Sequence, residues 1–118
     1  MTIKTKSIYD EKSGADGMRI LITRFYPRGV KRERFDLWIK NVSPKADLLR
    51  SFREGSIGWE EFERRFKLQL DSDEDSRAAV KQLLELSKKR SITLLCYERE
   101  GEKCHRHIVK AQLQDTPM

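Results

Sequence analysis

The residues best equipped for chemistry are Cys104-His105-Arg106, which stand together where a last helical pattern begins. A helix start presents free backbone N–H groups and the positive end of its dipole, so it attracts anions. The same field lowers a cysteine's pKa, as does a neighbouring arginine. This makes Cys104 a candidate thiolate nucleophile or redox-sensitive thiol, His105 a candidate proton carrier and Arg106 an anion clamp. The competing reading makes Cys104 a cap-region residue and His105 an exposed side chain. Cys96 lies inside an apolar run and reads as a small packed hydrophobe. Seven residues separate the two cysteines, which is not a usual zinc spacing, and His105 and His107 diverge on a helix. No metal and no cofactor are expected.

A second group follows the apolar run at 18–25. Arg24, Tyr26, Arg28, Lys31, Arg32 and Arg34 form a basic loop around a Pro27-Arg28-Gly29 turn. Arg28 there could grip a phosphate or carboxylate with two parallel hydrogen bonds; the alternative is a solvated basic loop. In open α/β sheets ligands bind beyond the carboxyl ends of the strands. If the strands at 18–25 and 92–97 are parallel neighbours, one edge collects Arg24, Tyr26, Arg28 and Lys31 from the first. From the second come Glu98, Cys104, His105 and Arg106.

The elements that must hold these residues can be read from periodicity. Residues 3–9 alternate loosely, as a strand does, and 10–17 form a polar turn segment with two glycines. The run Met-Arg-Ile-Leu-Ile-Thr-Arg-Phe at 18–25 is short, rich in β-branched residues and followed by a proline, which predicts a buried strand. Residues 35–42 predict a short strand or extended segment. Ser43-Pro44 predicts a helix start, with Leu48, Leu49 and Phe52 as its apolar stripe and Gly55 as its stop. Trp59, Phe62, Phe66 and Leu70 are spaced by three, four and four, which predicts a second helix and assigns the aromatics to the core. The acidic stretch at 71–75 suits the start of a third helix, and Lys88-Lys89-Arg90 its end. Ile-Thr-Leu-Leu-Cys-Tyr at 92–97 is the second clear strand. A polar loop over 98–103 leads into the final helix, with Ile108, Val109 and Leu113 buried, and 114–118 form a loose tail. Together these predict a single α/β domain over 1–118, a small, mainly parallel sheet flanked by about four helices.

Composition bounds the rest. The 118 residues carry 25 Lys and Arg against 19 Asp and Glu, a formal charge of +6. The excess is confined to residues 1–55, with 13 basic and 7 acidic side chains, whereas 56–118 carry 12 of each. Partners are therefore expected to be anionic, a phosphate or other small anion first and nucleic acid second, although no nucleic-acid motif is present. No run of about 18 apolar residues exists, so no membrane span is expected. Two cysteines are too few for a disulfide-rich secreted scaffold, and the N-terminus lacks a signal-like apolar stretch, so a cytoplasmic location is expected. Charged residues make up 37% with a single asparagine, Asn41, a composition that leans towards a thermophile. Oligomeric state is not legible.

Asp16-Gly17 with the strand to Arg24, then Tyr26-Pro27-Arg28-Gly29-Val30-Lys31, resembles the signature of the YeaO-like branch of the domain-of-unknown-function family 488. Leu37-Trp38-Ile39-Lys40 with Ser43-Pro44, Trp59-Glu60-Glu61-Phe62, Arg64-Arg65-Phe66 and Ile92-Thr93-Leu94-Leu95 extend the likeness over nearly the whole chain. YeaO-like members tend to have His-Asn near the final helix; here Cys104-His105-Arg106 looks like the Cys-His-Arg of the wider family. The resemblance implies an α/β fold in a small cytoplasmic protein and names no reaction. Two functions stand open. One is an anion-binding domain, an enzyme on a phosphorylated or nucleotide-like substrate that uses Cys104 and His105 with an arginine clamp. The other is a non-catalytic module that binds nucleic acid or an acidic protein through the basic first half.

Overall fold

The computed structural model describes residues 2–98 and 104–115. Most of the expected loop at 98–103, and the end of the expected tail at 114–118, lie outside them. Four strands, β1 (Ile3–Ser7), β2 (Met18–Leu21), β3 (Leu37–Trp38) and β4 (Ile92–Cys96), form one sheet in the order β1-β4-β2-β3. All its pairings are parallel. β2 and β4 are therefore parallel neighbours, the condition on which a shared edge depended. Four helices follow the expected pattern: α1 (Ala46–Arg53), α2 (Trp59–Ser72), α3 (Glu74–Lys89) and α4 (His105–Asp115).

Strand alternation divides the sheet into two unlike faces. Ile3, Ile20, Ile22, Ile92, Leu94 and Cys96 belong to the larger core, shared with Phe62 and Phe66 of α2, Leu83 of α3 and Val109 of α4. On the other face Leu21 and Leu95, with Ile8, pack against Val30, Phe35 and Trp38 from the basic loop and β3. Among the described residues no α-helix contributes to that cluster. Its amino-terminal half is polar instead. Arg19 is buried, its guanidinium paired with the Asp16 carboxylate, and Lys6 Nζ lies 3.1 Å from Asp16 Oδ1. Burial would raise the Asp16 pKa, but the Ser13 N–H and the two cations outweigh it and hold the carboxyl below its ordinary value.

β2 and β4 are set against each other at Gly17. Its φ of 65° suits glycine, and an added Cβ would stand 2.2 Å from the Ser91 carbonyl oxygen. The next amide, Met18 N–H, donates to that same oxygen at 3.0 Å. The register that follows places Leu21 opposite Leu95, so β2 and β4 end side by side.

Three expectations need correction. β2 stops at Leu21 rather than at Phe25, because after Ile22 donates to the Leu95 carbonyl the chain turns away over the second face. The segment at 35–42 yields only two strand residues before a 3-10 turn at Lys40–Val42. The first helix does not start at Ser43-Pro44. Ser43 closes that 3-10 turn, its hydroxyl donating to the Lys40 carbonyl, and α1 begins at Ala46 after Lys45. Gly55, at φ 78°, follows the end of α1 as expected.

The acidic start of α3 has a specific cap. Asp73 Oδ2 accepts the Ser76 N–H at 3.0 Å, and Oδ1 pairs with Lys45 Nζ at 2.8 Å. Asp73→Ala is expected to cost about 1 kcal/mol, read as a lower urea midpoint with an unchanged slope.

Candidate active site

β4 alternates its side chains, so Ile92, Leu94 and Cys96 share the helix-covered face, and Cys96 is the last residue on it. The chain returns to that point at Cys104, directly before the first residue of α4. The Cys104 sulfur accepts the Arg106 backbone N–H, one of the amides that a helix start leaves unpaired. Cys104 is 2% exposed and Cys96 is fully buried.

His105 lies between the two sulfurs and the end of β2. Its Nε2 is 2.6 Å from the Ile22 carbonyl oxygen, so Nε2 carries a proton and donates it. That bond leaves Nδ1 turned towards Cys104 Sγ at 3.7 Å, while Cys96 Sγ stands beside the ring, 3.5 Å from Nε2 and 3.8 Å from Nδ1. The edge of the Phe66 ring packs against the imidazole at 5.8 Å between centroids. The expectation of an exposed His105 is thereby excluded.

Charge follows from this geometry. Burial pushes the Cys104 thiol up. Hydrogen bonds from Cys96 and His105, the imidazolium charge and the Arg106 N–H outweigh burial and bring it down to about 3. Burial would also discharge His105, but the hydrogen bond and charge of the Cys104 thiolate raise its pKa instead. Cys96 moves the other way. Burial, then the adjacent Cys104 thiolate, push its thiol well above the ordinary value, so Cys96 stays protonated. Glu98, just past β4, is pushed up to about 7, first by burial and then by the thiolate. Among the described residues its Oε2 is buried without a hydrogen-bond partner. The site is thus an imidazolium–thiolate pair flanked by a neutral thiol and a carboxyl that gains its proton near neutrality.

Arg106 is completely buried and donates from NH1 to the Glu98 carbonyl oxygen at 2.8 Å. It ties the first turn of α4 to the chain leaving β4. The remaining sequence candidates are placed differently. The Arg24 guanidinium donates to the Ser43 and Pro44 carbonyls at 2.8 and 3.2 Å, bracing the approach to α1. Tyr26 packs edge-on against Trp38 and Phe35, and its hydroxyl donates to the Val30 carbonyl. Arg28 and Lys31 are exposed on the loop that covers the second face. That loop is fastened near the site edge by Tyr97, whose hydroxyl donates to the Phe25 carbonyl at 2.5 Å. Arg28, too, contributes its carbonyl, to the Tyr9 hydroxyl at 3.0 Å.

Sequence reasoning missed Cys96 as a member of the site. The available signal was strand alternation, which puts the last inward residue of β4 against whatever helix follows. Both sulfurs and a ring nitrogen of His105 lie within 4.8 Å of one another, brought together by the fold across a seven-residue gap between the cysteines. Among the described residues no helix is long and apolar enough to cross a membrane.

No solved structure matches the chain. The uncharacterised protein YeaO of Escherichia coli (strain K12) is 32% identical over 97 residues, which cover 80% of this chain and 82% of that one. The uncharacterised protein Rv3073c of Mycobacterium tuberculosis (strain ATCC 25618 / H37Rv) is 26% identical over 113 residues, 94% of this chain and 92% of that one. A family profile described as "Active DUF488-N3 subclade" matches residues 3–116, and with YeaO it shows that this chain belongs to the YeaO-like DUF488 proteins.

Proposed function

We propose that this protein is a thiolate-dependent enzyme acting on a phosphorylated or nucleotide-like substrate, with Cys104 as the nucleophile. The observation that carries this reading is His105 Nδ1 lying 3.7 Å from the Cys104 sulfur while Nε2 is held by the Ile22 carbonyl at 2.6 Å. A nucleophile, a basic group beside it and a third group that fixes the base form the arrangement activated nucleophiles require. Its position, at a helix start beyond the carboxyl ends of two parallel strands, favours an anionic substrate.

The roles follow from the charges. The His105 cation stabilises the resting Cys104 thiolate, which bonds to the electrophilic centre as that centre's bond to the leaving group breaks; water then attacks the adduct and releases the thiolate. Glu98, protonated about half the time near neutrality, hands its proton to the leaving group. Arg106 keeps the helix start and the end of β4 in register and adds positive charge to the site. Arg28 and Lys31, exposed on a chain of charge +6, steer the anion towards the sheet edge. Arg24 and Tyr26 act indirectly, by holding the segments on either side. The reaction is not tied to one location in the cell, but free thiols suit the reducing cytoplasm.

The test is acid-quenched mass spectrometry of the protein mixed with a panel of nucleoside phosphates and simple phosphomonoesters. A covalent adduct on Cys104 with turnover is expected, and Cys104→Ser is expected to reduce turnover by at least about a thousandfold. Unchanged turnover in Cys104→Ser overturns the reading. Nucleic-acid binding that weakens steeply with salt, with no turnover of any phosphate ester, would favour the non-catalytic alternative.

A further inference from the structure

We propose that Cys96 is a resolving thiol for Cys104, so that a hydroperoxide converts the pair into a reversible disulfide that switches the site off. The inference rests on Cys104 being a thiolate and adds a partner and a regulation that catalysis alone does not need. Its basis is placement. The two sulfurs lie within 4.8 Å of each other beside one imidazole, the first on the last inward position of β4 and the second at the start of α4. Both are free thiols. Cys96 is fully buried and Cys104 2% exposed, so an oxidant that reaches them must be small, as hydrogen peroxide is.

The chemistry balances in two steps. The Cys104 thiolate attacks one peroxide oxygen and the O–O bond breaks, giving the sulfenic acid and hydroxide, and the hydroxide takes the Nδ1 proton of the His105 imidazolium to become water. The Cys96 sulfur then attacks the sulfenic sulfur. Its proton and the sulfenic hydroxyl leave as water, and an S–S bond forms. Two thiols have given two electrons to the peroxide, which becomes two waters. The order is built into the site. Burial first, and the neighbouring thiolate second, keep Cys96 protonated, so Cys104 reacts first. Once Cys104 is the neutral sulfenic acid the thiolate's opposition is gone, burial remains, and Cys96 attacks as its proton passes to the departing hydroxyl. A disulfide needs the sulfurs at about 2.05 Å, and the closing movement falls to Cys104, which precedes the helix rather than lying inside a strand ladder.

The experiment treats the intact protein with a small excess of hydrogen peroxide at neutral pH, then labels thiols with a maleimide in acid-quenched denaturant and records intact mass. The expected product is monomeric, has lost two hydrogens, takes no maleimide and recovers both labels after dithiothreitol. Cys96→Ala is expected to gain oxygens instead, first as a sulfenic acid that dimedone traps. Oxygen gained by the wild-type protein while Cys96 still takes label overturns the inference, as does a covalent dimer or two unreacted thiols. The wild-type result stands without the variant. If any of these three failures occurs while a thiolate is present at neutral pH, only the resolving role is lost. If no thiolate is present, the reading of Cys104 as nucleophile falls with it.

Discussion

Replacing His105 by asparagine is expected to slow alkylation of Cys104 at about pH 5 by about a thousandfold. In the native site the thiol sits at about 3, so nearly every molecule carries the thiolate at that pH. Asparagine keeps a polar side chain within reach of the Ile22 carbonyl but supplies no positive charge. Burial is then opposed only by the hydrogen bonds from Cys96 and the Arg106 N–H, and the thiol moves up towards the ordinary cysteine value of about 8.5. The thiolate fraction at about pH 5 falls accordingly. Iodoacetamide kinetics across pH check this, because wild-type and variant rates should converge at high pH, where both are ionised. That convergence separates a change in charge from a change in access. Equal rates at both ends of the range would mean that His105 does not set the charge of Cys104.

Gly17→Ala is expected to be the most destabilising glycine-to-alanine change among the described glycines, costing more than about 3 kcal/mol and lowering Tm by about 10 °C or more. Two causes act together. A φ of 65° is unfavourable for alanine, and the new Cβ would stand 2.2 Å from a backbone oxygen that cannot swing aside. That oxygen, on Ser91, also accepts the Met18 amide that begins the β2–β4 pairing. Because Ile22 directly follows β2 and β4 supplies Cys96, a displaced pairing also disturbs His105. Gly14→Ala is the control, with nothing within 4 Å of its added Cβ and no positive φ. Thermal unfolding of the two variants side by side gives the comparison. A Gly17→Ala protein as stable as Gly14→Ala would show that the strands tolerate a shift.

The parts of the fold that could be read from the chain are those where one physical signal dominates. The three-four-four spacing from Trp59 to Leu70 is a helix stripe whatever surrounds it, and the acidic run before α3 supplied Asp73 as a cap. Ile92 to Cys96 is short and apolar throughout, as a central strand buried on both faces must be. Ser43-Pro44 misled because a cap signal is local, whereas Ser43 is claimed by the preceding 3-10 turn and its carbonyl by Arg24. The site was legible at Cys104-His105-Arg106, where three reactive types adjoin a helix start. It was not legible at Cys96, whose packing and chemistry are one placement; Glu98 was named beside the site, but not its burial, which depends on a helix that begins seven residues later. Arg24 was a natural anion ligand by type. Its partners turned out to be carbonyls about 20 residues away, a pairing that no local pattern encodes.

The most direct measurement is the ultraviolet thiolate absorbance of the folded protein as a function of pH, with folding followed by circular dichroism on the same samples. One thiolate per chain should be present from about pH 4 to pH 8, disappearing only as pH falls through about 3, with Cys96 adding its absorbance well above the ordinary thiol range. Cys104→Ser should abolish the acid step and leave the alkaline one. A protein with no thiolate at neutral pH, and a first ionisation near or above 8.5, would contradict the imidazolium–thiolate pair and with it the proposed nucleophile.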